Sequence, residues 1–397
     1  MNLKHPLLSS KYGCWAVNRK LFTSKLDALK YASQVNESIY FYFHDHIWDN
    51  FDRTLLGKVP LTILYKERAQ QLRDKYDHLV LHYSGGADSH NILYTFLTNN
   101  IKLDEICVKW PKPLRDGQFY TPNVADTSAK NAVSEWDFAI KPTLEWLASN
   151  RPDIKINIID YANNLSERLT TVGHIESRIC SMGTNRGGLA SLAWWVNPDT
   201  EHTIVQKKVS NTAHIFGIDK PILILKDNNI CVQFMDSVFE NALLPEGKSE
   251  EKVEAFYWSS DFPILALEQA YQTALYFKHN QDQRSLIENT PTLTPEDMLK
   301  RFEGQGNLQK KILYENSWNP STFQAGKPNV LRSDWYFWLF ENKELISLRN
   351  NWASALNNLV DGVDHRLLVT ASFDNLSVSA FRPVRTKPFP ILSLNSD

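Results

Sequence analysis

The most constraining feature of this sequence is a glycine-rich turn between an apolar run and a run with helical spacing. The turn reads Ser-Gly-Gly-Ala-Asp-Ser over 84–89, after the β-forming residues 79–83 and before apolar residues at helical spacing in 92–97. These patterns predict a strand, a loop and a helix in direct succession. Two adjacent glycines reach backbone angles that other residues adopt only with strain, and they carry no Cβ that would keep a ligand away. We therefore predict a ligand site at this turn.

The chemistry of the turn suits phosphate groups. Its N–H groups and the free N–H groups of the following helix start form a pocket for anionic oxygens, to which Ser84 and Ser89 add hydroxyl donors. Asp88 would repel a bare phosphate, so a magnesium ion between its carboxylate and the phosphates is expected. The residues predicted to bind the nucleotide are Ser84, Gly85, Gly86, Ala87, Asp88 and Ser89.

The hexapeptide resembles the SGGxDS signature of the PP-loop, the pyrophosphate-binding loop of the N-type ATP pyrophosphatases. That superfamily includes asparagine synthetase, GMP synthetase, NAD synthetase and tRNA lysidine synthetase. Its members cleave ATP between the α- and β-phosphates, transfer AMP to a substrate oxygen and let a nucleophile displace the AMP. The resemblance implies ATP and Mg²⁺ as cofactors and an adenine nucleotide alpha hydrolase-like fold. A P-loop kinase is excluded, because no Lys-Ser/Thr pair closes the loop.

A second candidate segment, Gly-Ile-Asp-Lys at 217–220, follows a predicted strand. Ligands of an open parallel sheet sit at the carboxyl ends of strands, near the point where the strand order reverses. We predict that Gly217 allows close backbone approach, that Asp219 shares the metal with Asp88, and that Lys220 neutralises the departing pyrophosphate. The segment partly matches the Gly-Ala-Asp-Glu stretch of asparagine synthetase, with Lys220 where that enzyme has Glu. The alternative is an ordinary turn.

Composition narrows the class of protein. The 397 residues are 43% hydrophobic and 22% charged, which is typical of a folded globular protein. The net charge of −2 provides no global attraction for nucleic acid or acidic membrane, although a local basic groove stays open. The most apolar stretch, 189–196, is far shorter than a bilayer span of about 20 residues, and the first ten residues, which have no apolar core, are not expected to act as a secretory signal. We expect a cytoplasmic protein with no membrane partner.

Strand and helix signals alternate along the middle of the chain, which predicts an α/β fold with a parallel sheet flanked by helices. We expect an N-terminal αβ extension over 1–77 and a PP-loop ATP-binding domain over 78–245. A mainly helical C-terminal domain is expected over 246–397, after the polar run at 246–251.

The function that these features favour is an ATP-dependent adenylating ligase or amidotransferase-like synthetase, with Asp88 and Lys220 as catalytic residues. It would activate a carboxylate or carbonyl-type oxygen of a small-molecule or nucleotide substrate and transfer an amine or ammonia to it. The resemblance is closest to the synthetase domain of asparagine synthetase and to bacteriophage asparagine-synthase-like proteins. Asparagine synthetase begins with a glutaminase domain whose Cys follows the initiator Met, whereas this sequence has Asn2 there. A ligase acting on a nucleotide, a modified base or an amino acid therefore fits better than asparagine synthesis.

Two alternatives keep the loop but change its use. Sulfur transfer, as in tRNA thiolation or sulfate-activation reductases, needs a reactive cysteine, for which Cys107 and Cys180 are the candidates. The sequence has no Cys-x-x-Cys motif, which disfavours this route. The second alternative is a non-catalytic nucleotide-binding or interaction module that retains the loop as scaffold.

Overall fold

A computed structural model describes residues 11–110, 136–159, 211–217, 220–236, 251–288, 295–317, 346–373, 376–381 and 383–395. The strands are β1 (Cys14–Val17), β2 (Lys20–Phe22), β3 (Ile39–Tyr42), β4 (His78–His82), β5 (Glu105–Lys109), β6 (Lys155–Ile159), β7 (Thr212–Phe216), β8 (Ile222–Lys226), β9 (Asn229–Gln233), β10 (Glu251–Ala255), β11 (Leu368–Phe373), β12 (Leu376–Phe381) and β13 (Phe389–Ser393). The helices are α1 (Lys25–Val35), α2 (Asp45–Asn50), α3 (Leu61–Lys75), α4 (Ala87–Thr98), α5 (Lys141–Asn150), α6 (Pro263–His279), α7 (Pro295–Leu313) and α8 (Ile346–Leu359). A π-helical turn, Trp136–Ile140, precedes α5.

The central element is a five-stranded parallel sheet with the order β10-β7-β4-β5-β6. In chain order its strands are therefore arranged 3-2-1-4-5, with the reversal between the first strand, β4, and the fourth, β7. This confirms the predicted α/β class with a parallel sheet flanked by helices. A reversal of this kind leaves a crevice beyond the carboxyl ends of the two strands, where ligands of open α/β sheets bind.

The helix after the glycine-rich turn is formed by the predicted apolar positions. Ile92, Leu93 and Phe96 of α4 are at most 1% exposed and belong to the main hydrophobic core. Leu79 and Leu81 of β4 are fully buried in the same core, while Val80 between them is buried in a second cluster on the opposite face of the sheet. Burial of these side chains fixes where β4 ends and α4 begins, and it thereby positions the turn.

Three antiparallel assemblies lie outside the parallel sheet. They have the orders β2-β1-β3, β13-β9-β8 and β11-β12. Two strands that follow residue 245 pair with strands that precede it, because β10 joins β7 and β13 joins β9. The described residues after 246 contain α6, α7 and α8 and also strands β10–β13. No helix in the described ranges is long and apolar enough to cross a membrane.

Strand β10 carries a buried carboxylate, Glu254, that links the sheet to α3 and to the N-terminal segment. Its Oε2 accepts a bond from Arg68 Nη2 at 3.1 Å, and its Oε1 accepts bonds from Lys11 Nζ at 2.7 Å and Lys75 Nζ at 3.3 Å. The Tyr76 hydroxyl also donates to Oε1. Burial alone would raise the pKa of Glu254, but the charges of Arg68 and Lys11 outweigh it and lower the pKa to about 2.

Candidate functional site

The glycine-rich turn lies where the strand order of the sheet reverses. Strand β4 ends at His82, the chain turns through residues 83–86, and α4 begins at Ala87. Strand β7, the hydrogen-bonded neighbour of β4, ends at Phe216 and continues into Gly217. The two segments selected from the sequence therefore lie side by side at the carboxyl edge of the sheet.

Gly85 is required for two independent reasons. Its φ of +79° lies in the left-handed region, where a side chain is strained. A Cβ at this position would also lie 2.7 Å from Ile140 Cγ1 and 3.3 Å from Ala139 Cβ, both on the turn that precedes α5. The backbone of the loop thus packs against the π-helical turn before α5, with no room for a side chain at position 85.

The two serines of the turn hold it together from inside. The Ser84 N–H donates to Ser89 Oγ at 3.2 Å, and the Ser89 hydroxyl donates to the Gly86 carbonyl at 3.1 Å. The two hydroxyl oxygens are 3.2 Å apart. Ser89 is 4% exposed, whereas Ser84 is exposed. Both serines therefore shape the loop from inside, because Ser84 Oγ also accepts from the Gly86 N–H at 3.4 Å.

The start of α4 presents amide groups that the helix itself does not use. The first intrahelical bond of this turn runs from His90 N–H to the Gly86 carbonyl at 3.0 Å, so Ala87, Asp88 and Ser89 precede the regular ladder. Gly86 occupies the N-cap and has no side chain to cap these amides. Amides at a helix N-terminus favour anionic oxygens.

Asp88 is held in an ion pair on the first turn of α4. Lys220 Nζ lies 2.8 Å from Asp88 Oδ1 and 2.6 Å from Oδ2, so the ammonium contacts both carboxylate oxygens. Tyr314 is the residue directly after α7, and its hydroxyl donates to Oδ1 at 2.6 Å. The side chains of Lys220 and Asp88 are 10% and 23% exposed. The structure thus joins the two predicted catalytic residues to each other.

Two buried tyrosines, which the sequence did not suggest, fix the backbone and side chain of Asp88. Tyr257, just after β10, donates to the Asp88 carbonyl at 2.8 Å and accepts from Asn91 Nδ2 at 3.1 Å. Asn91 Oδ1 in turn accepts from the Ser317 hydroxyl at 2.8 Å. Burial raises the pKa of Tyr257 and of Tyr314 well above the usual value, so both phenols stay protonated and remain donors.

Gly217 approaches the loop as closely as a residue without a side chain permits. A Cβ at Gly217 would lie 3.0 Å from Ser89 N and 3.1 Å from the carbonyl carbon and Cβ of Asp88. Because these are mostly backbone atoms, the start of α4 would have to shift by a few tenths of an ångström. Gly217 therefore packs against the start of α4, and its close approach to a bound nucleotide stays a prediction.

The sequence predicts that loop 84–89 binds ATP, and on that prediction Gly217→Ala should weaken ATP binding roughly tenfold, because small displacements of positioning groups are costly at a binding site. Isothermal titration calorimetry of ATP against both proteins measures the effect. Gly306→Ala is the matched control, since its Cβ would lie 3.9 Å from Lys220 Cε, in ordinary contact. An unchanged affinity in Gly217→Ala, or an equal loss in the control, would contradict this role.

A pair of histidines also connects the two strands at the reversal point. His82 Nε2 and His214 Nδ1 are 2.9 Å apart, and the Phe216 ring stacks on His82 with centroids 4.2 Å apart at an interplanar angle of 11°. His82 and Phe216 are the last residues of β4 and β7. Period-two spacing places His214 and Phe216 on one sheet face, which is the signal that could have suggested this pairing.

Several other predicted residues are not brought to the loop by the described structure. Asp219 and Cys180 lie outside the described residues. Cys107 lies on β5 opposite His82, is 1% exposed, and packs with Val80 and Ile159. It is therefore a buried strand residue rather than an exposed thiol.

A magnesium ion does not fit at Asp88 as this carboxylate is arranged. Both oxygens accept from the Lys220 ammonium, which stands where a bound cation would lie, and Oδ1 also accepts from Tyr314. Across the described ranges, no three His, Cys, Asp or Glu side chains form a group that could hold a metal. No step of the chemistry proposed below depends on a metal at Asp88.

No family model, curated protein or solved structure matches this chain. The site is therefore defined by its own geometry: a strained glycine loop, an uncapped helix start and an ion pair at the reversal point of a parallel sheet. They place the amides of a helix start next to the Lys220 ammonium.

Proposed function

We propose that this protein is an ATP-dependent adenylating ligase with a PP-loop type α/β fold and a mainly helical C-terminal part. The observation that carries the proposal is the position of the glycine loop 84–89 at the carboxyl end of β4, where the strand order of the sheet reverses between β4 and β7. There the amides at the start of α4 would bind the terminal phosphates of a nucleotide, while the Gly86 N–H makes a long bond to Ser84 Oγ at 3.4 Å.

The resemblance of loop 84–89 to the PP-loop supports cleavage that leaves AMP on the substrate. In the proposed reaction a substrate oxygen attacks the α-phosphorus of ATP, the bond between the α-phosphorus and the bridging oxygen breaks, and pyrophosphate leaves from the loop. In this proposal Lys220, whose ammonium contacts Asp88 on the first turn of α4, stabilises the negative charge that develops on the departing pyrophosphate. An amine or ammonia then displaces AMP and loses a proton, which gives an amide or amidine.

The substrate class is a small molecule or nucleotide with a carboxylate or carbonyl-type oxygen. Magnesium enters the proposal as the ion that accompanies ATP in solution. The buried position of Cys107 gives no support to sulfur transfer by that residue. The ion pair between Lys220 and Asp88 favours the second candidate, a nucleotide-binding protein without catalysis, because a site already neutralised has less charge to offer a reacting phosphate.

We expect AMP and pyrophosphate to form from ATP in equal amounts when the right oxygen substrate is present. The experiment incubates the protein with ATP, magnesium and ammonium together with a panel of amino acids, nucleosides and modified bases, and separates nucleotides by ion-exchange chromatography. Release of ADP and phosphate would contradict adenylation. ATP binding by calorimetry without AMP formation across the panel would favour the non-catalytic candidate. Gly85→Ala is the negative control for contaminating ATPases.

A further inference from the structure

The carboxylate that was predicted to bind magnesium, that of Asp88, is paired here with a lysine of the same chain. Lys220 Nζ lies 2.8 and 2.6 Å from the two oxygens of Asp88. An ammonium within hydrogen-bond distance of both oxygens compensates the carboxylate charge as a bound cation would. Both side chains are largely removed from solvent, at 10% and 23% exposed, so the pair is screened less than a surface ion pair.

The lysine is held in this place by its surroundings. Gln309 of α7 is 2% exposed and donates to the carbonyl of Pro221, the next residue, at 2.6 Å. Gly306 of α7 lies beside the Lys220 chain, where an added Cβ would be 3.9 Å from Cε. The Tyr314 hydroxyl holds the carboxylate from another direction at 2.6 Å. The pair therefore belongs to the packed structure between α4 and α7.

We infer that Lys220 replaces the divalent cation at Asp88, so that nucleotide phosphates bind to this loop without a metal ion. The inference rests on the proposed nucleotide-binding function of loop 84–89. A free carboxylate on the first turn of α4 would repel phosphate, and a metal ion is one way to remove that repulsion. Here the ammonium removes it, and the amides of the helix start remain to bind the phosphate oxygens.

The first test compares ATP binding to the full chain with and without magnesium. One calorimetric titration is run with millimolar EDTA and the other with excess magnesium chloride. Both are held at about 0.15 M ionic strength, so that the screening of charges is equal. We expect the two Kd values to agree within tenfold. A loss of more than tenfold in EDTA would overturn the inference while leaving the proposed function intact. Absence of binding in both buffers would overturn both.

The second test removes the ammonium. We expect Lys220→Met to bind ATP at least tenfold more weakly in EDTA and to recover affinity with magnesium, because Asp88 becomes available to a cation. Manganese, followed by the loss of its free-ion electron paramagnetic resonance signal, should bind to Lys220→Met with ATP more tightly than to the wild type with ATP. Lys226→Met is the matched control, since Lys226 is an exposed lysine at the end of β8.

The double variant Asp88→Asn with Lys220→Met separates charge from folding. If Lys220 acts by removing the repulsion between Asp88 and phosphate, the double variant should bind ATP in EDTA at least tenfold more tightly than Lys220→Met does. Circular dichroism confirms that each variant is folded. Metal-free binding by Lys220→Met equal to the wild type, or no recovery in the double variant, would overturn the inference.

Discussion

We expect Gly85→Ala to raise the Kd for ATP at least a hundredfold. The φ of +79° disfavours any side chain, and an alanine Cβ would lie 2.7 Å from Ile140 Cγ1, so the loop has to leave its position. Because the phosphates are proposed to contact the backbone of this loop, a displaced backbone removes several hydrogen bonds at once. Calorimetric titration with ATP measures the loss.

Gly362→Ala provides the matched control. Gly362 also has a left-handed φ, +76°, but nothing lies within 4 Å of an added Cβ, and the residue is exposed. The control therefore carries the same backbone strain at a distance from the loop. It should bind ATP with the wild-type Kd. Wild-type affinity in Gly85→Ala, with the control also unchanged, would show that the loop does not bind the nucleotide through its backbone.

The turn and its flanking elements could be predicted because every signal lies within a few residues of the next. Strand β4 and helix α4 flank the turn as expected, and the alternation of strands and helices predicted the parallel sheet. The hydroxyl of Ser89 illustrates the limit of such reasoning. Its residue type indicated a ligand donor, but whether the hydroxyl points outward or to the Gly86 carbonyl depends on the folded loop.

Contacts between distant segments left no signal in the sequence. Tyr314 and Tyr257 reach Asp88 across separations of 226 and 169 residues. A tyrosine that donates to a carboxylate looks, in sequence, like any aromatic core residue. The ion pair between Lys220 and Asp88 could not be predicted either. The sequence suggested that both residues act on one ligand, and that expectation does not imply that they contact each other.

Strand β10 was obscured by its own charges. The run 246–251 indicated a polar boundary, and the strand that begins there includes Glu254, which composition alone would place at the surface. The carboxylate is instead fully buried, because Arg68 of α3 accompanies it into the core. From sequence alone, the charged residues of a buried ion pair look like charged residues at the surface. Only the folded structure distinguishes these two cases.

We expect Glu254→Gln to lower the free energy of unfolding at pH 7 by about 3 kcal/mol, since removing one partner of a buried pair leaves an uncompensated charge. The uncompensated group is Arg68, whose side chain is 0% exposed. Urea titrations followed by tryptophan fluorescence compare the variant with the wild type. Asp153→Asn is the control: Asp153 is paired with Arg151 but 52% exposed, and its replacement should leave the urea midpoint unchanged.

Glu254 should also make the free energy of unfolding depend on pH. Because the pKa of Glu254 is lowered from 4.5 to about 2 in the folded chain, its contribution is complete above about pH 4.5 and is lost as the pH falls towards 2. The free-energy gap between the wild type and Glu254→Gln should therefore be constant from pH 7 to about 5 and close at lower pH. A gap that persists unchanged at pH 3 would mean that the carboxylate stabilises the fold by packing and hydrogen bonding rather than by its charge. Equal urea midpoints at pH 7 would mean that Arg68 does not depend on Glu254 for its burial.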